Sequence, residues 1–327
     1  MIEIRSVGEE AGSISPSGSP SRGSASFLTT LKKNRQFLVM LIPVTVYLLI
    51  FNYAPMAGLI LAFKRYIPAL GFWKSPWAGL SNFKFLFVSG AFGRILFNTV
   101  FYNVIFLITC QALGMMVAIL ISELRLKKLN NLLHSLTFFP YFVSYVVVGA
   151  IVYNIFSYEF GVFNNLLEAW GAEPVNVYQM PNVWVFILTF LNSWKWVGYT
   201  SIIYYTTIVG IDPELYEAAE IDGASTLARI WHITVPYLKV TLLTIVLFQL
   251  GSIFKGQFDL FYNVIGNNGQ LFEATDVVDT YVFRMLITNF DVGLGTAAGL
   301  FQSFFGFLLM MIVNGVVKKV RPQYALF

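Results

Sequence analysis

Hydrophobic residues are grouped along this chain in six long runs, and stretches richer in polar residues separate them. An α-helix rises about 1.5 Å per residue, so about 20 apolar residues cross the roughly 30 Å hydrocarbon core of a bilayer. The runs predict membrane-spanning helices near residues 37–60, 95–121, 131–157, 183–208, 238–258 and 294–316. The expected fold class is therefore all-α, a polytopic membrane protein with six transmembrane helices.

The stretch before the first run has a different composition. The sequence "AGSISPSGSPSRGSAS" is rich in Ser, Gly and Pro and cannot bury a core, so a disordered tail is predicted. The first apolar run lies too deep for a signal peptide and is expected to be an anchor. The predicted organisation is a tail (1–30), an anchor helix with an external segment (31–93), a five-helix core (94–316) and a second tail (317–327).

Composition agrees with this class. Hydrophobic residues make up 57% of the chain, charged residues make up 12%, and the mean hydropathy is +0.69. These values exceed what a soluble domain covers with polar surface, so a soluble protein is excluded.

The distribution of Lys and Arg predicts the orientation. Six spans put both ends on one side, and cytoplasmic loops carry the excess of cations. The side with the termini holds 13 of the 21 cations and the other side six, while Lys195 and Lys255 lie inside predicted spans. Both termini and the 209–237 loop are therefore expected in the cytoplasm, beneath the plasma (inner) membrane. The segments expected outside are 61–94, 158–182 and 259–293.

Most of the outward cations crowd into the first external segment, which contains no acid. They are Lys64, Arg65, Lys74, Lys84 and Arg94. One interpretation is a surface-lying stretch that anchors to lipid headgroups, with Phe72, Trp73, Trp77 and Phe83 at the interface. The other is electrostatic attraction of an acidic ligand.

Cysteine and histidine offer little chemistry. The single cysteine, Cys110, lies in the second predicted span, so it is expected to be a buried apolar thiol, and a disulfide within one chain is excluded. His134 and His232 lie almost a hundred residues apart without matching ligands, so no metal site is expected.

The stretch between the fourth and fifth spans holds five carboxylates. Asp212 is expected to cap a helix that has Pro213 at its first position, and Gly223 is expected to end it. Ser225 can cap a second short helix running to Ile233, after which Pro236 starts the next span.

The first of these short helices suits docking. Ala218 and Ala219 keep one face slim, while Glu217 and Asp222 offer carboxylates to a basic partner. An amphipathic connector with a solvated charged face would show the same pattern, so the pattern alone leaves both interpretations open.

The spacing of this stretch resembles the EAA loop of binding-protein-dependent ABC importer permeases. The matching residues are Glu217-Ala218-Ala219, then Gly223, then Ile233-Thr234-Val235-Pro236, with Val235 in place of the usual Leu. The resemblance covers about residues 90–316 and implies the ABC importer type I permease fold. It implies that residues 212–224 are a coupling helix on a separate ATPase. The coupling residues would be Glu217, Ala218, Ala219, Asp222, Gly223, Ile233 and Pro236.

Two further features refine the resemblance. The segment "FEATDVVDTYVFR" at 272–284 and the single N-terminal helix look like the subgroup that imports oligo- and polysaccharides, which includes the permease of the alginate importer. The chain has no G-x-x-x-x-G-K-[ST] loop, so ATP and Mg are expected on the partner and no cofactor on this chain. The interiors of the predicted spans hold no carboxylate, with Glu123 and Asp259 at helix ends, which disfavours an ion-coupled carrier.

The fourth predicted span carries a candidate substrate path. Asn192, Lys195, Trp196 and Tyr199 recur on one helical face. Amide and phenol groups can bind sugar hydroxyls, aromatic faces can stack on pyranose rings, and a lysine can pair with a sugar carboxylate. The resemblance places the positions of Asn192 and Tyr199 in the substrate site of maltose-type permeases.

The fifth predicted span departs from that family. Ile253 and Gly256 stand where the family has asparagines, and Ser252, Lys255 and Gln257 lie beside them, which implies a different sugar. Helix packing or snorkelling lysines would also explain these residues. Two lysines inside spans and the basic external segment favour an acidic saccharide.

The expected function is one of two permease subunits, in a heterodimer, working with two ATPase subunits and an extracytoplasmic solute-binding protein. The chain itself is expected not to be an enzyme. The alternative is a membrane enzyme acting on polysaccharide with external carboxylates as acid and base. Its candidates are Asp259, Glu273, Asp276 and Asp279. A passive channel or scaffold is the third hypothesis.

Overall fold

The computed structural model describes residues 35–88, 90–124 and 126–320, and no β-strand occurs among them beyond an isolated bridge between Lys64 and Trp77. The predicted tail over 1–30 and the last seven residues lie outside this range. The chain divides into two units, residues 1–57 and 58–327.

The described part of the first unit is helical. It contains α1 (Arg35–Leu48), a π-helical turn (Leu49–Tyr53) and the start of a 3-10 helix (Ala54–Phe63). The whole stretch Arg35–Phe63 is long and apolar enough to cross a membrane, as the run over 37–60 predicts.

The second unit continues as a series of helices joined by short loops. They are α2 (Gly71–Lys74), α3 (Ser81–Val88), α4 (Ala91–Ser122), α5 (Lys127–Phe138), α6 (Tyr145–Phe156), α7 (Val162–Ala169), α8 (Pro181–Val209), α9 (Pro213–Ile221), α10 (Thr226–Arg229), α11 (Val235–Leu250), α12 (Phe258–Ile265), α13 (Phe272–Thr275), α14 (Val278–Phe283) and α15 (Val292–Val320).

Fewer described helices than the six predicted meet the length and apolarity expected of a span. Four described helices are long and apolar enough to cross a membrane, or five if the bent pair α5 and α6 forms one span. The helix predicted over 183–208 exists as the 29-residue α8, but Asn192, Ser193 and Lys195 make it too polar to join that group. The six-span count is therefore not reached on length and apolarity.

The third predicted span, 131–157, is broken. Its two halves, α5 with the 3-10 turn Phe139–Phe142 and then α6, meet at 89°. Pro140 lacks the N–H that a continuing helix needs, and Ser144 starts α6 by accepting a hydrogen bond from the Val147 N–H at 3.4 Å.

The fifth predicted span, 238–258, ends early. α11 stops at Leu250, and residues 251–257 form an unwound segment before α12. Gly251 and Gly256 weaken the helix here. Hydropathy did not reveal this break, because it measures composition and not the path of the backbone.

The core of the second unit lies between α4 and α8. Tyr102 and Phe106 of α4 pack with Trp184 and Leu188 of α8, and all four side chains are buried. A second buried cluster joins the start of α4 to α14 and α15. The helices α4 and α8 therefore form the frame on which the bent pair α5–α6 and the unwound segment 251–257 lie.

Candidate functional site

A cavity of about 600 Å³ lies between α4, α8, α11 and the unwound segment 251–257. Six of the seven residues predicted for a substrate path line this central cavity. They are Asn192, Trp196, Tyr199, Ser252, Lys255 and Gln257. The helical face predicted on α8 and the polar cluster after α11 therefore meet around one space.

The α8 wall combines aromatic faces with polar atoms. Trp196 donates through Nε1 to the Tyr145 hydroxyl at 3.2 Å, and the Tyr199 ring stacks on Tyr141 at 5.3 Å between centroids. Asn192 donates through Nδ2 to the Cys110 Sγ at 3.3 Å, while its buried Oδ1 has no hydrogen-bond partner in the described chain. The cavity wall thus combines aromatic rings with a buried amide oxygen that has no partner in the described chain.

The opposite wall is the backbone of the unwound segment. Asn103 of α4 donates to the carbonyls of Ile253 at 3.0 Å and Lys255 at 2.8 Å, and Gln302 of α15 donates to that of Phe254 at 2.8 Å. Irregular backbone at membrane depth persists where neighbouring groups satisfy it and where it lines a cavity. The helices α4 and α15 therefore hold the unwound segment in place as one wall of the cavity.

Asp279 of α14 holds the same wall from another side. Its Oδ2 accepts the Gly256 N–H and a hydrogen bond from Gln302 at 3.1 Å. Burial raises the pKa of this carboxyl, while the hydrogen bonds from Gly256 and Gln302 and the charge of Lys255 act in the opposite direction. A Cβ at position 256 would lie 2.7 Å from Asp279 Oδ2 and 2.8 Å from Val277 Cγ2, so this close contact favours glycine.

Lys195 lies apart from the other predicted path residues. Its side chain is 8% exposed, and its ammonium donates to the carbonyls of Tyr141 at 2.8 Å and of Val143, in the bend before α6. The same ammonium lies 5.0 Å from the Tyr145 ring centroid. In this conformation Lys195 stabilises the bend and does not face the cavity.

We expect Lys195→Met to destabilise the fold without changing the preference for charged substrates. Methionine keeps the apolar stem but leaves the carbonyls of two half-buried residues without their charged donor, each such bond being worth about 1.5–3 kcal/mol. The check is the thermal midpoint of the purified protein together with the uptake ratio of an acidic to a neutral saccharide. An unchanged thermal midpoint with an altered uptake ratio would contradict this role. Lys255→Met is the matched control, because it makes the same change at the lysine that lines the cavity.

Three wall-forming residues were missed by sequence reasoning. Asn103 carried a signal, because an amide inside the second predicted span needs a partner. For Asp279 and Gln302, nothing in the sequence indicated that they hold the unwound segment, since only the tertiary fold brings them to Gly256 and Phe254.

Two of the four external carboxylates considered as acid and base have other partners. Asp276 is 5% exposed and forms an ion pair with Arg284, whose guanidinium also lies 4.1 Å from the Phe272 ring centroid. Asp279 is bound to Gly256 and Gln302 as described above. These contacts tie Asp276 and Asp279 into the fold, while Asp259 and Glu273, the other two candidates, are exposed.

The ammonium of Lys64, in the basic external segment, is also bound to other groups of the chain. The residue is 3% exposed, and its ammonium donates to the Trp73 carbonyl at 2.7 Å and lies 5.3 Å from the Trp77 ring centroid. Trp73 and Trp77 remain 71% and 68% exposed. Lys64 therefore closes a loop, whereas the exposed indoles agree with the interfacial interpretation.

The acidic loop forms the first predicted helix. Asp212 caps α9 by accepting the Glu214 N–H at 3.0 Å, and Gly223 just beyond its end has φ +77°. Glu217, Ala218 and Asp222 are exposed, while Ala219 is half-buried. The exposed fraction of Ile221 is 87%. α9 thus presents carboxylates and an apolar side chain at the surface.

The second predicted short helix does not end at Ile233. After the Ser225 cap, α10 passes through a π-helical turn (Ile230–Thr234) into α11, so Thr226–Leu250 is one continuous helix with Pro236 inside it. Pro236 has no N–H for the usual bond, and the wider turn before it accommodates the ring. Tyr216 joins α9 to this helix, with its hydroxyl 2.9 Å from the buried Thr234 hydroxyl.

No cluster of metal ligands occurs among the described residues. Cys110 is buried, as expected. The His134 ring packs edge-on against the Tyr205 ring, with 4.3 Å between the ring centroids.

Residues 112–323 match the family model of the binding-protein-dependent transport system inner membrane component. The chain belongs to this family. The resemblance indicated by the EAA loop is thereby confirmed, and the permease is a membrane component of a transport system.

Relatives and a solved structure extend the match. The permease is 33% identical to protein LplB of Bacillus subtilis (strain 168) over 91% of this chain and 93% of that one. It is 30% identical to the polygalacturonan/rhamnogalacturonan transport system permease protein YteP of the same organism, over 90% and 92%. A solved structure of a bacterial alginate ABC transporter, in complex with an alginate pentasaccharide-bound periplasmic protein, contains a chain similar to this permease. The two chains superpose with a TM-score of 0.79 and are 29% identical, and the match covers 90% of this chain and 98% of the transporter chain.

Proposed function

We propose that this permease is one of two membrane subunits of an ATP-driven importer of an oligo- or polysaccharide, with an acidic saccharide such as alginate as the favoured class. The observation that carries the proposal is the central cavity, which Trp196, Tyr199 and Asn192 line together with the polar unwound segment. Stacking surfaces together with spare hydrogen-bonding groups are what sugar rings require.

The substrate charge rests on Lys255. With Lys195 bound to carbonyls, Lys255 is the lysine of the predicted pair that lines the cavity. Its ammonium can pair with a uronate carboxylate, and Asp259, which lines the same cavity, can accept hydrogen bonds from sugar hydroxyls. The names of the related alginate and polygalacturonan systems support an acidic substrate.

The proposed energy coupling uses residues 212–224. With both termini in the cytoplasm, α9 and its exposed Glu217 and Asp222 would dock in a groove on a separate ATPase. ATP binding would close the ATPase pair, move α9 and open the cavity toward an extracytoplasmic solute-binding protein. Hydrolysis would reset the cycle, and a second, different permease chain would complete the pathway.

The test is uptake by the reconstituted importer of two probes, an alginate pentasaccharide and an arabino-oligosaccharide. We expect ATP-dependent uptake of the acidic probe, and Lys255→Gln should raise its KM about tenfold while changing the KM for the neutral probe less than twofold. Lys239→Gln, at the start of α11, is the matched control. Equal effects of Lys255→Gln on both probes would refute the acidic assignment, and no ATP-dependent uptake of either would refute import of these saccharides.

A further inference from the structure

A second cavity, of about 730 Å³, opens where the end of α6 meets the end of α12. Three tyrosines and four asparagines line it, and Glu159 is its one charged lining residue. This volume is in the range of small-molecule sites. The lining is too polar for a lipid tail and lacks the cations that a phosphate requires, so it suits a ligand rich in hydroxyl groups.

The asparagines have two different roles. Asn268 donates to the Tyr178 carbonyl at 3.2 Å and accepts the Gln270 N–H at 3.1 Å, so it shapes the wall. Asn176 and Asn267 have no side-chain hydrogen bond within the described chain and remain available to a ligand. Tyr153 and Tyr158 are each 51% exposed and offer ring faces.

Tyr178 supplies the sharpest sign of a ligand. Its ring packs against the buried Trp184 at 4.8 Å between centroids, but its hydroxyl is buried and has no hydrogen-bond partner in the described part of the chain. Burial raises the pKa of this hydroxyl to about 12, so it remains a donor at neutral pH. A buried hydroxyl without a partner is costly unless something else binds it.

This cavity continues the faces that line the central one. Tyr145 of α6 lines the central cavity, and Gly149 and Tyr153, at successive intervals of four residues, line the second. On α12, Asp259 and Asn263 repeat that arrangement. Between the cavities the helices touch, because a Cβ at Gly149 would overlap the Asn263 carbonyl.

We propose that the second cavity is a further saccharide-binding site, which holds sugar hydroxyls through Tyr178, Asn176, Asn267 and Glu159 before the substrate reaches the central cavity. The order of the two sites rests on the proposed function, which places segments 158–182 and 259–293 on the outer side. Glu159 can accept hydrogen bonds from two hydroxyls of a sugar.

The test compares Tyr178→Phe with Tyr237→Phe, a matched change on α11. In the reconstituted importer, Tyr178→Phe should raise the KM for the arabino-oligosaccharide about fivefold with kcat unchanged, since the lost hydroxyl makes no bond within the described chain. Glu159→Gln should likewise raise the KM for this probe, because an amide accepts fewer hydroxyls than a carboxylate. An unchanged KM in both variants would overturn the assignment, as would a change in ATPase stimulation by the binding protein without saccharide.

A direct binding measurement separates this inference from the proposed function. Saturation-transfer NMR of the purified permease complex, without ATP or binding protein, should show contact with the arabino-oligosaccharide that Tyr178→Phe reduces severalfold. If that contact is present while the importer moves neither probe, the import proposal fails and the binding site stands. If uptake proceeds and no contact depends on Tyr178, the site fails and the import proposal stands.

Discussion

Glu217→Arg is expected to remove ATPase activity from the complex that co-purifies with this permease. Glu217 is exposed on α9 and makes no hydrogen bond or ion pair within the described chain, so the substitution should leave the fold intact. At a docked surface, reversing a charge that pairs with a basic partner costs roughly 3 kcal/mol or more, which is about a hundredfold in affinity. The measurement is ATP hydrolysis in the eluate of a tagged permease extracted in mild detergent.

Glu168→Arg is the matched control for this prediction. Glu168 is an exposed carboxylate on α7, in a segment expected on the opposite side of the membrane, so its reversal should leave the ATPase bound. Equal activity with both variants would show that α9 does not dock through Glu217. A native permease that brings down no ATPase would remove the basis for energy coupling.

Gly198→Val is expected to prevent stable folding. A Cβ at Gly198 of α8 would overlap the Thr137 carbonyl and lie 2.7 Å from the Phe138 Cα, and both are backbone atoms that cannot rotate away. Overpacking typically costs 1–3 kcal/mol, and about 3 kcal/mol or more is expected where backbone must move. The measurement is the yield of monodisperse protein in fluorescence-detected gel filtration and its thermal midpoint.

Gly93→Ala provides the comparison for the glycine prediction. Gly93 lies in α4, and no atom approaches within 4 Å of the position of its Cβ. Alanine should be neutral or stabilise the helix by up to about 1 kcal/mol. Normal yield of Gly198→Val would mean that α8 and the bend after α5 do not pack as closely as described.

Hydropathy predicted much of the helical frame. The run over 95–121 corresponds to α4, and the run over 294–316 corresponds to α15. It failed where a helix changes direction or unwinds, as at Pro140 and after Leu250, because apolar composition is the same on both sides of such a break. The weaker hydropathy of α8 also has a reason, since its polar residues face the central cavity or pack against the neighbouring helices.

The site was predictable where residues share one helix. Asn192, Trp196 and Tyr199 were placed together by helical periodicity alone. Lys195 follows the same spacing, yet its long side chain reaches carbonyls of another helix, which periodicity cannot show. The second cavity was not predictable either, because its lining comes from three segments that are separate in sequence, 149–159, 176–178 and 263–268.

Under the proposed function, substrate preference is controlled partly by residues that do not line the central cavity. Asp279 and Gln302 contact the backbone of the unwound segment and do not line the central cavity themselves. Substitution at either position would reshape residues 251–257 without altering any side chain that meets the substrate. Changes in sugar selectivity during divergence or engineering are therefore expected at positions 256, 279 and 302 in concert, so libraries confined to cavity-lining positions would sample too little of the sequence.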